Sequence, residues 1–295
     1  MVTNTERMEL ALHPAFIEGF VSQKLNPTMG VLGLFKPINL EGSKYFEYYS
    51  KDTSFEDDIL NGILSEPAEI EEDSELPQIQ VSGYAKHSGH TVDLGLEMSF
   101  TEELLNQSSN YDLVLETYKG GAYSLNRALN RWAYNGLMAN ATAETITLND
   151  GAWATSEKIA EDVMDMQEAI DKLGYHYSLT DMYVGKTSFY GARKYEFALG
   201  ETFTPEDFYG SALHKFDEVD SGLLGLDMNA QPAKWYYNVD PNHNRLHNDD
   251  NPASSIINVH VYDSPKKPFS KTIQMWINVG FAVQKSDAVM YVEGV

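Results

Sequence analysis

Cysteine is absent from this 295-residue chain. Disulfides, thiolate-held metals and a cysteine nucleophile are thereby excluded, and redox usage gives no clue to compartment. Basic residues are scarce: 21 Lys and Arg stand against 44 Asp and Glu, a formal net charge of −23. A surface of that sign repels phosphate backbones, so a conventional nucleic-acid binder with a basic face is not expected. Salt-adapted proteins share such a balance, but lysine stays plentiful here and does not single out that origin. No apolar run approaches the length of a membrane span. Met1 to Arg7, MVTNTER, lacks the basic start, apolar middle and cleavage pattern of a signal peptide. The expectation is a soluble chain, intracellular where it is made, with no membrane partner. Also missing are a Gly-rich phosphate loop ending in Lys-Ser or Lys-Thr, a His-Glu-x-x-His pair, a Gly-x-Ser-x-Gly elbow and any internal repeat.

What is present suffices for a core. Hydrophobic residues make up 42% and aromatics 12%, which excludes global disorder and allows one large domain or two modest ones. Met8 to Leu25 has a loose helical pattern broken by Pro14, so a helix is expected to begin near His13 and end before Asn26-Pro27. Thr91 to Phe100 alternates with period two, as a half-buried strand does, and Thr101 to Leu105 starts a short helix. The clearest helix spans Tyr111 to Ala139, with a bend expected at Gly120-Gly121. Leu125, Ala128, Leu129, Trp132, Ala133 and Gly136 are its expected apolar face, with Asn126, Arg127, Asn130 and Arg131 pointing elsewhere. Trp132 is expected to be buried beside Leu125 and Leu129.

A second helix is predicted from Ser156 to Leu173, capped by Ser156 or Thr155, ended by Gly174 and carrying a stripe of Ile159, Val163, Met166, Ile170 and Leu173. Met182 to Gly185 reads as a buried strand and Lys186 to Tyr195 as a helix. Thr204-Pro205-Glu206-Asp207 has the makings of a helix start, predicting a helix over Phe208 to Phe216. The last third is strand-rich: Ser255 to Tyr262, Thr272 to Val279, Gly280 to Val283 and Ala288 to Val292. Helices in the middle and strands towards both ends make the class α+β.

The most unusual stretch lies between Phe35 and Phe100. Strand-like at Phe35 to Leu40, it turns acidic through Glu56-Asp57-Asp58 and Glu66 to Glu75, then becomes strand-like again at Gln78 to Tyr84. From Asp52 to Ala85 there is no Lys or Arg. Connections this long inside compact domains are functional or disordered. An acid run by itself reads as a solvated face, while the flanking strand signals read as a hairpin arm that packs on a neighbouring chain.

Two polar groups invite a chemical reading. In the 240–251 loop, Asp240, Asn242, Asn244 and Asn248 fall at calcium-loop spacings. However, Arg245 stands where the sharp turn needs Gly, and Asn251 where a bidentate acid is needed. His243 and His247 in the same loop lack a helix to fix their separation for a transition metal. A solvated, exposed loop is the favoured reading. His87 and His90 stand near Asp93, yet Gly83, Ser88 and Gly89 around them read as bends, and no partner is positioned. No catalytic, cofactor-binding or metal residue is therefore assigned, no cofactor is implied, and an enzyme is not expected.

The order of elements resembles the major capsid proteins of tailed bacteriophages and related archaeal viruses, whose fold encapsulin shell proteins share. The sequence Pro67 to Glu72 followed by Ile79 to Lys86 is similar to the descending arm of that family's extended loop. Ile159 to Gly174 followed by Thr180 to Tyr190 resembles the helix, strand and helix of its axial domain. Gly280 to Lys285 followed by Val289 to Val292 resembles closing strands of its peripheral domain. No long coiled-coil stretch precedes these elements, so built-in scaffolding is not expected. The resemblance implies an N-terminal arm at 1–34, an extended hairpin and its base at 35–100, and a peripheral subdomain with spine helix at 101–155. An axial subdomain at 156–254 and closing strands of both subdomains at 255–295 complete the implied division.

The implied function is structural: self-assembly as pentamers and hexamers into an icosahedral head around double-stranded DNA, without sequence-specific binding. Portal protein, separate scaffolding and decoration proteins are the implied partners, and the virion, assembled in the host cytoplasm, is the implied location. An encapsulin-type compartment holding protein cargo is the alternative within the fold, and an acidic metal-dependent hydrolase the alternative outside it.

Overall fold

The computed structural model describes residues 4–25, 30–51, 84–106, 111–141, 146–155, 158–172, 177–198, 210–216, 222–238, 257–263 and 270–295. In chain order these form α1 (Asn4–Ala11), α2 (Pro14–Leu25), β1 (Pro37–Asn39), β2 (Tyr45–Lys51), β3 (Tyr84–His90), β4 (Val92–Thr101), α3 (Glu102–Asn106) and α4 (Tyr111–Ala139). There follow α5 (Ile159–Asp171), β5 (Asp181–Val184), α6 (Lys186–Ala198), β6 (Ala212–Lys215), β7 (Leu223–Leu226), β8 (Ala233–Asn238), β9 (Ile257–Asp263), β10 (Ser270–Val283) and β11 (Val289–Val292). The class is α+β, as expected. Two compact units form. One holds Met1–Phe46, Gly89–Tyr134 and Lys234–Phe281; the other holds Glu47–Ser88, Asn135–Ala233 and Ala282–Val295.

The first unit is built on a five-stranded sheet in the order β1-β8-β10-β4, with β9 also paired to β10. The long β10 runs antiparallel to β4, from Ser270↔Thr101 to Val279↔Val92, and antiparallel to β9, from Lys271↔Asp263 to Ile277↔Ile257. Because side chains alternate along a strand, one face collects Leu96, Met98, Val259, Val261, Ile273, Met275 and Ile277. Helix α4 lies on this apolar face without a break at Gly120-Gly121, where a bend was expected. Gly121 serves close approach: a Cβ there would stand 2.8 Å from Met275 Cε and 3.3 Å from Met98 Sδ.

The buried stripe of α4 is turned from the expected one. It is centred on Tyr118, Ala122, Leu129 and Ala133, which brings Asn126 and Asn130 inward and leaves Ala128 exposed. The two asparagines, 6% and 2% exposed, pair through Asn130 Nδ2 donating to Asn126 Oδ1 at 3.3 Å. That bond offsets part of the cost of the inward turn, since a buried polar group is costly when unpaired; Asn130 Oδ1 stays buried without a hydrogen-bond partner among the described residues. Trp132, expected to be buried, lies on the stripe's edge, half-buried, with its ring edge-on to Phe281 at 6.0 Å. Trp132→Ala should therefore cost about 1–2 kcal/mol, partial burial plus one aromatic pair. A denaturant titration giving more than about 3 kcal/mol, the range of a fully buried aromatic, would contradict this placement.

Pro14 opens α2, as its fixed φ allows at a first helical position, and α2 packs on β9. Tyr118 of α4 meets the N-terminal helices: its ring is edge-on to Phe100 at 6.0 Å and to Phe20 at 6.4 Å. Its hydroxyl donates to the Ala11 carbonyl at 2.8 Å. Burial, with a smaller contribution from Tyr111, pushes the Tyr118 phenol well above its ordinary value of 10.0. Above that value the unfolded chain releases a proton that the folded chain keeps. The stabilisation is thus complete below pH ~10 and drains away as pH rises towards the raised folded value. Alkaline melts should show an earlier loss of stability in wild type than in Tyr118→Phe. Parallel curves above pH ~10 would show that Tyr118 is not protected.

The second unit has a four-stranded sheet in the order β11-β7-β5-β6, with β5 parallel to β6 and antiparallel to β7. Ala212–Lys215, expected to end a helix, is instead strand β6. Its backbone pairs with β5 from Asp181↔Ala212 to Val184↔Lys215, a non-local gain that overrides local helix signals. The closing strands also part: Gly280 to Val283 continues β10, while β11 pairs with β7 in this other sheet. Against the sheet lie Ile159, Val163, Met166 and Ile170 of α5, the predicted stripe, in one cluster with Met182, Val184, Leu223, Met290 and Trp153. Ser156 or Thr155 was expected to cap α5, but Lys158 is its N-cap and gives no side-chain bond. The first turn is fixed by Asp162 instead, fully buried and accepting from Trp153 Nε1 at 2.9 Å and from the Asn149 amide and side chain at 2.7 and 3.0 Å. Several donors on one carboxylate are what makes a buried acid tolerable.

Candidate functional site

Among the described residues the strands β2 and β3 pair with each other alone, as a two-stranded sheet. They carry between them the acid-rich excursion, of which 52–83 lies outside the described residues. Alternation puts Tyr45, Glu47 and Tyr49 of β2 outward, with Tyr45 74% and Tyr49 55% exposed. A two-stranded hairpin showing aromatic rings to solvent is marginal by itself and needs cover. Glu47 holds Lys86 Nζ at 2.7 Å, and its hydrogen bond and charge raise the Lys86 ammonium above its ordinary value.

The start of β2 is held firmly within the first unit. The amide of Leu40 donates to the Tyr237 carbonyl at 2.9 Å, and that of Gly42 to Asn238 Oδ1 at 2.9 Å. Gly42, at φ 96°, has the left-handed backbone that this turn requires. Phe46 then stacks on Tyr236 with ring centres 4.1 Å apart. Two glycines floor its socket: a Cβ on Gly89 would lie 2.5 Å from Phe46 Cζ, and one on Gly280 would overlap the same ring at Cε1. Gly89, expected to make a bend, is thus a strand residue, because an absent side chain there admits the Phe46 ring.

The histidines near it are strand residues too. His87 Nε2 lies 2.7 Å from Ser50 Oγ and its ring stacks on Tyr48, while His90 meets the Tyr45 ring edge-on at 6.5 Å. Asp93 on β4 accepts from Asn278 Nδ2 at 2.6 Å. Each of the three candidates has its own neutral partner, and none of these contacts joins a histidine to Asp93. Among the described residues no group of three or more His, Asp and Glu could hold a metal ion. The 240–251 loop and the Glu66 to Glu75 run lie outside the described residues. Among the described residues, too, no helix is long and apolar enough to cross a membrane.

One cluster escaped the sequence reading. On the second sheet His214 Nε2 lies 2.8 Å from Asp181 Oδ1, Thr180 Oγ1 2.8 Å from Asp181 Oδ2, and the Tyr183 ring stacks on His214 at 4.7 Å. Burial, helped by Asp181, pushes the Tyr183 phenol above its ordinary range. The threonine hydroxyl also contacts the Leu226 carbonyl at 3.1 Å and accepts from the Met228 amide at 2.8 Å. It is committed to holding β5 on β7, not poised as a nucleophile. Only the parallel register Tyr183↔His214 brings these residues together, and no spacing in the sequence signals it.

No protein-family model and no curated protein matches this chain. Solved structures do. The virus-like particle from Pyrococcus furiosus is 8% identical, with a TM-score of 0.58 over 94% of this chain and 97% of the other. A structure from Mycobacterium phage Bobi is 14% identical, with a TM-score of 0.60 over 89% of each chain. The capsid of Myoviridae phage XM1 is 14% identical, with a TM-score of 0.53 over 89% of this chain and 90% of the other. Identities this low speak for backbone arrangement alone, and the arrangement is matched nearly end to end. The chain has the α+β fold of the tailed-phage major capsid proteins.

Proposed function

We propose that this protein is the structural subunit of a viral head, self-assembling as pentamers and hexamers into an icosahedral shell that encloses double-stranded DNA. The observation that carries the reading is the end-to-end match to a virus-like particle and a phage capsid. The hairpin root with its exposed Tyr45 and Tyr49 adds support, since such a surface finds its cover on another copy. In this reading 101–155 is the peripheral subdomain with α4 as its spine, 156–254 the axial subdomain, and 255–295 supplies closing strands to both. Many modest, ring-closing contacts between identical chains sum to a stable shell, and the net charge of −23 keeps the wall from gripping packed DNA. The chain does this work without catalysis, cofactor or metal. Portal, scaffolding and decoration proteins are its partners in the virion, assembled in the host cytoplasm.

Electron microscopy and gel filtration of the purified protein test the proposal: rings or closed shells are expected, and a stable monomer or dimer without activity in assembly buffers would overturn it. Deleting Glu56 to Glu75 should leave a folded chain that forms no shells. Normal shells from the deletion variant would remove the arm from the account. A second reading, an encapsulin-type shell around protein cargo, is kept because the Pyrococcus furiosus particle matches this chain over nearly its whole length. Shells isolated from the native source should contain DNA under the first reading and a defined protein under the second.

A further inference from the structure

Two helices of the second unit present solvent faces of opposite charge. On α5 that face holds Glu161, Met164, Asp165, Glu168 and Asp171, all exposed, and the helix itself contains no Lys or Arg. Lys158 and Lys172 flank it and pair with Glu161 at 3.2 Å and with Glu168 at 2.9 Å. Asp165 accepts from the neutral Asn149 side chain at 2.9 Å. On α6, Lys186, Tyr190 and Lys194 recur every four residues, forming an exposed line about 12 Å long. From Lys186 to Tyr195 this helix has Arg193 as a further cation and no acid. Among the described residues no ion pair engages Asp171, Lys186 or Lys194. In the middle of each face a large apolar side chain is held out to solvent: Met164 is 69% and Tyr190 49% exposed.

Neither face is explained by the helix that carries it. Lys186 opens α6 and Asp171 closes α5, each the wrong sign for the dipole at its helix end. Methionine and tyrosine ringed by charge have the composition of an interface centre with a polar rim. An acidic or a basic partner would cover one of the two faces and leave the other. A second copy of this chain covers both, because each face is the complement of the other. We propose that α5 of one copy docks on α6 of the next, Met164 against Tyr190, with the acids around the first facing the lysines around the second. Such a contact is heterologous, so it repeats from copy to copy and closes into a ring where its rotation allows. The inference rests on the shell reading and supplies it with a ring contact.

Because the chain has no cysteine, engineered thiols report the contact directly. Full chains carrying Met164→Cys and full chains carrying Tyr190→Cys are mixed in equal amounts, oxidised and run on a non-reducing gel. A covalent dimer is expected from the mixture and not from either variant alone. Lys186→Glu with Lys194→Glu, placed in the Tyr190→Cys chain, should lower the dimer yield about tenfold, since like charges then face each other. Adding Glu168→Lys with Asp171→Lys to the Met164→Cys chain should restore the yield, which separates a specific contact from the effect of net charge. All the substituted positions are exposed, so each variant should fold, which circular dichroism checks; the two thiol variants decide the matter if a charge variant does not. Equal dimer yields from the single variants, no dimer from the mixture, or a yield indifferent to the charge reversals would overturn the contact. Electron microscopy of the wild type keeps the two readings apart. A mixed dimer from a protein that forms open filaments keeps the contact and removes the shell, whereas shells without a mixed dimer keep the shell and remove the contact.

Discussion

Trp153→Ala is expected to destabilise the second unit by about 3–5 kcal/mol, the range for removing a fully buried aromatic. Trp153 is 0% exposed and belongs to the cluster formed by α5 and the four-stranded sheet. Its loss would open a cavity and also take one donor from the buried Asp162 carboxylate, leaving the Asn149 bonds. The two penalties are separable. Trp153→Phe keeps most of the volume and removes only the indole N–H, so it should cost the smaller share, about 1–3 kcal/mol for an under-satisfied buried group. Chemical denaturation followed by tyrosine fluorescence and circular dichroism checks both. If Trp153→Ala costs less than about 1 kcal/mol, as surface substitutions do, the indole is not in this core.

Phe46→Ala should have a comparable effect on the first unit, again about 3–5 kcal/mol. Phe46 is 6% exposed, stacked on Tyr236 and floored by Gly89 and Gly280. Few neighbours can collapse into that space, because two of its walls are bare backbone. Gly280→Ala attacks the socket from the other side by placing a methyl where the ring now lies; overpacking of this kind costs about 1–3 kcal/mol. The combination discriminates. If the socket is real, Gly280→Ala should be nearly harmless once Phe46 is already alanine, since the added methyl then fills the space the ring vacated. A double-mutant cycle that is additive within about 0.5 kcal/mol would show the two positions to be independent and sink the socket.

Local periodicity was legible wherever one element decided its own burial. Ile159, Val163, Met166 and Ile170 form the stripe of α5, the alternating run to Phe100 forms β4, and Pro14 marks the start of α2. Each follows from a repeat of 3.6 or 2 residues meeting one apolar surface. The order of those elements was enough to suggest the capsid fold, which the nearly full-length structural matches then showed.

What chain order could not hold was decided by distant partners. Strand β6 is a strand because β5 offers it a ladder, β11 leaves β10 to pair with β7, and His214 meets Asp181 and Tyr183 only through a parallel register. Gly89 and Gly121 are positions of close approach, to Phe46 and to Met275, where the sequence alone suggested bends. The inward turn of Asn126 and Asn130 likewise depends on which line of α4 faces the sheet. A glycine or an amide carries the same local signal in a turn and in a packed interface, whereas the contacts that choose between them come from other elements, as Phe46 does for Gly89 and Met275 for Gly121. The sequence by itself determined the charge, the absence of thiol chemistry, the helix and strand repeats and their order. Only the tertiary structure decided register, socket and polar face, because each is a pairing energy between segments that periodicity treats one at a time.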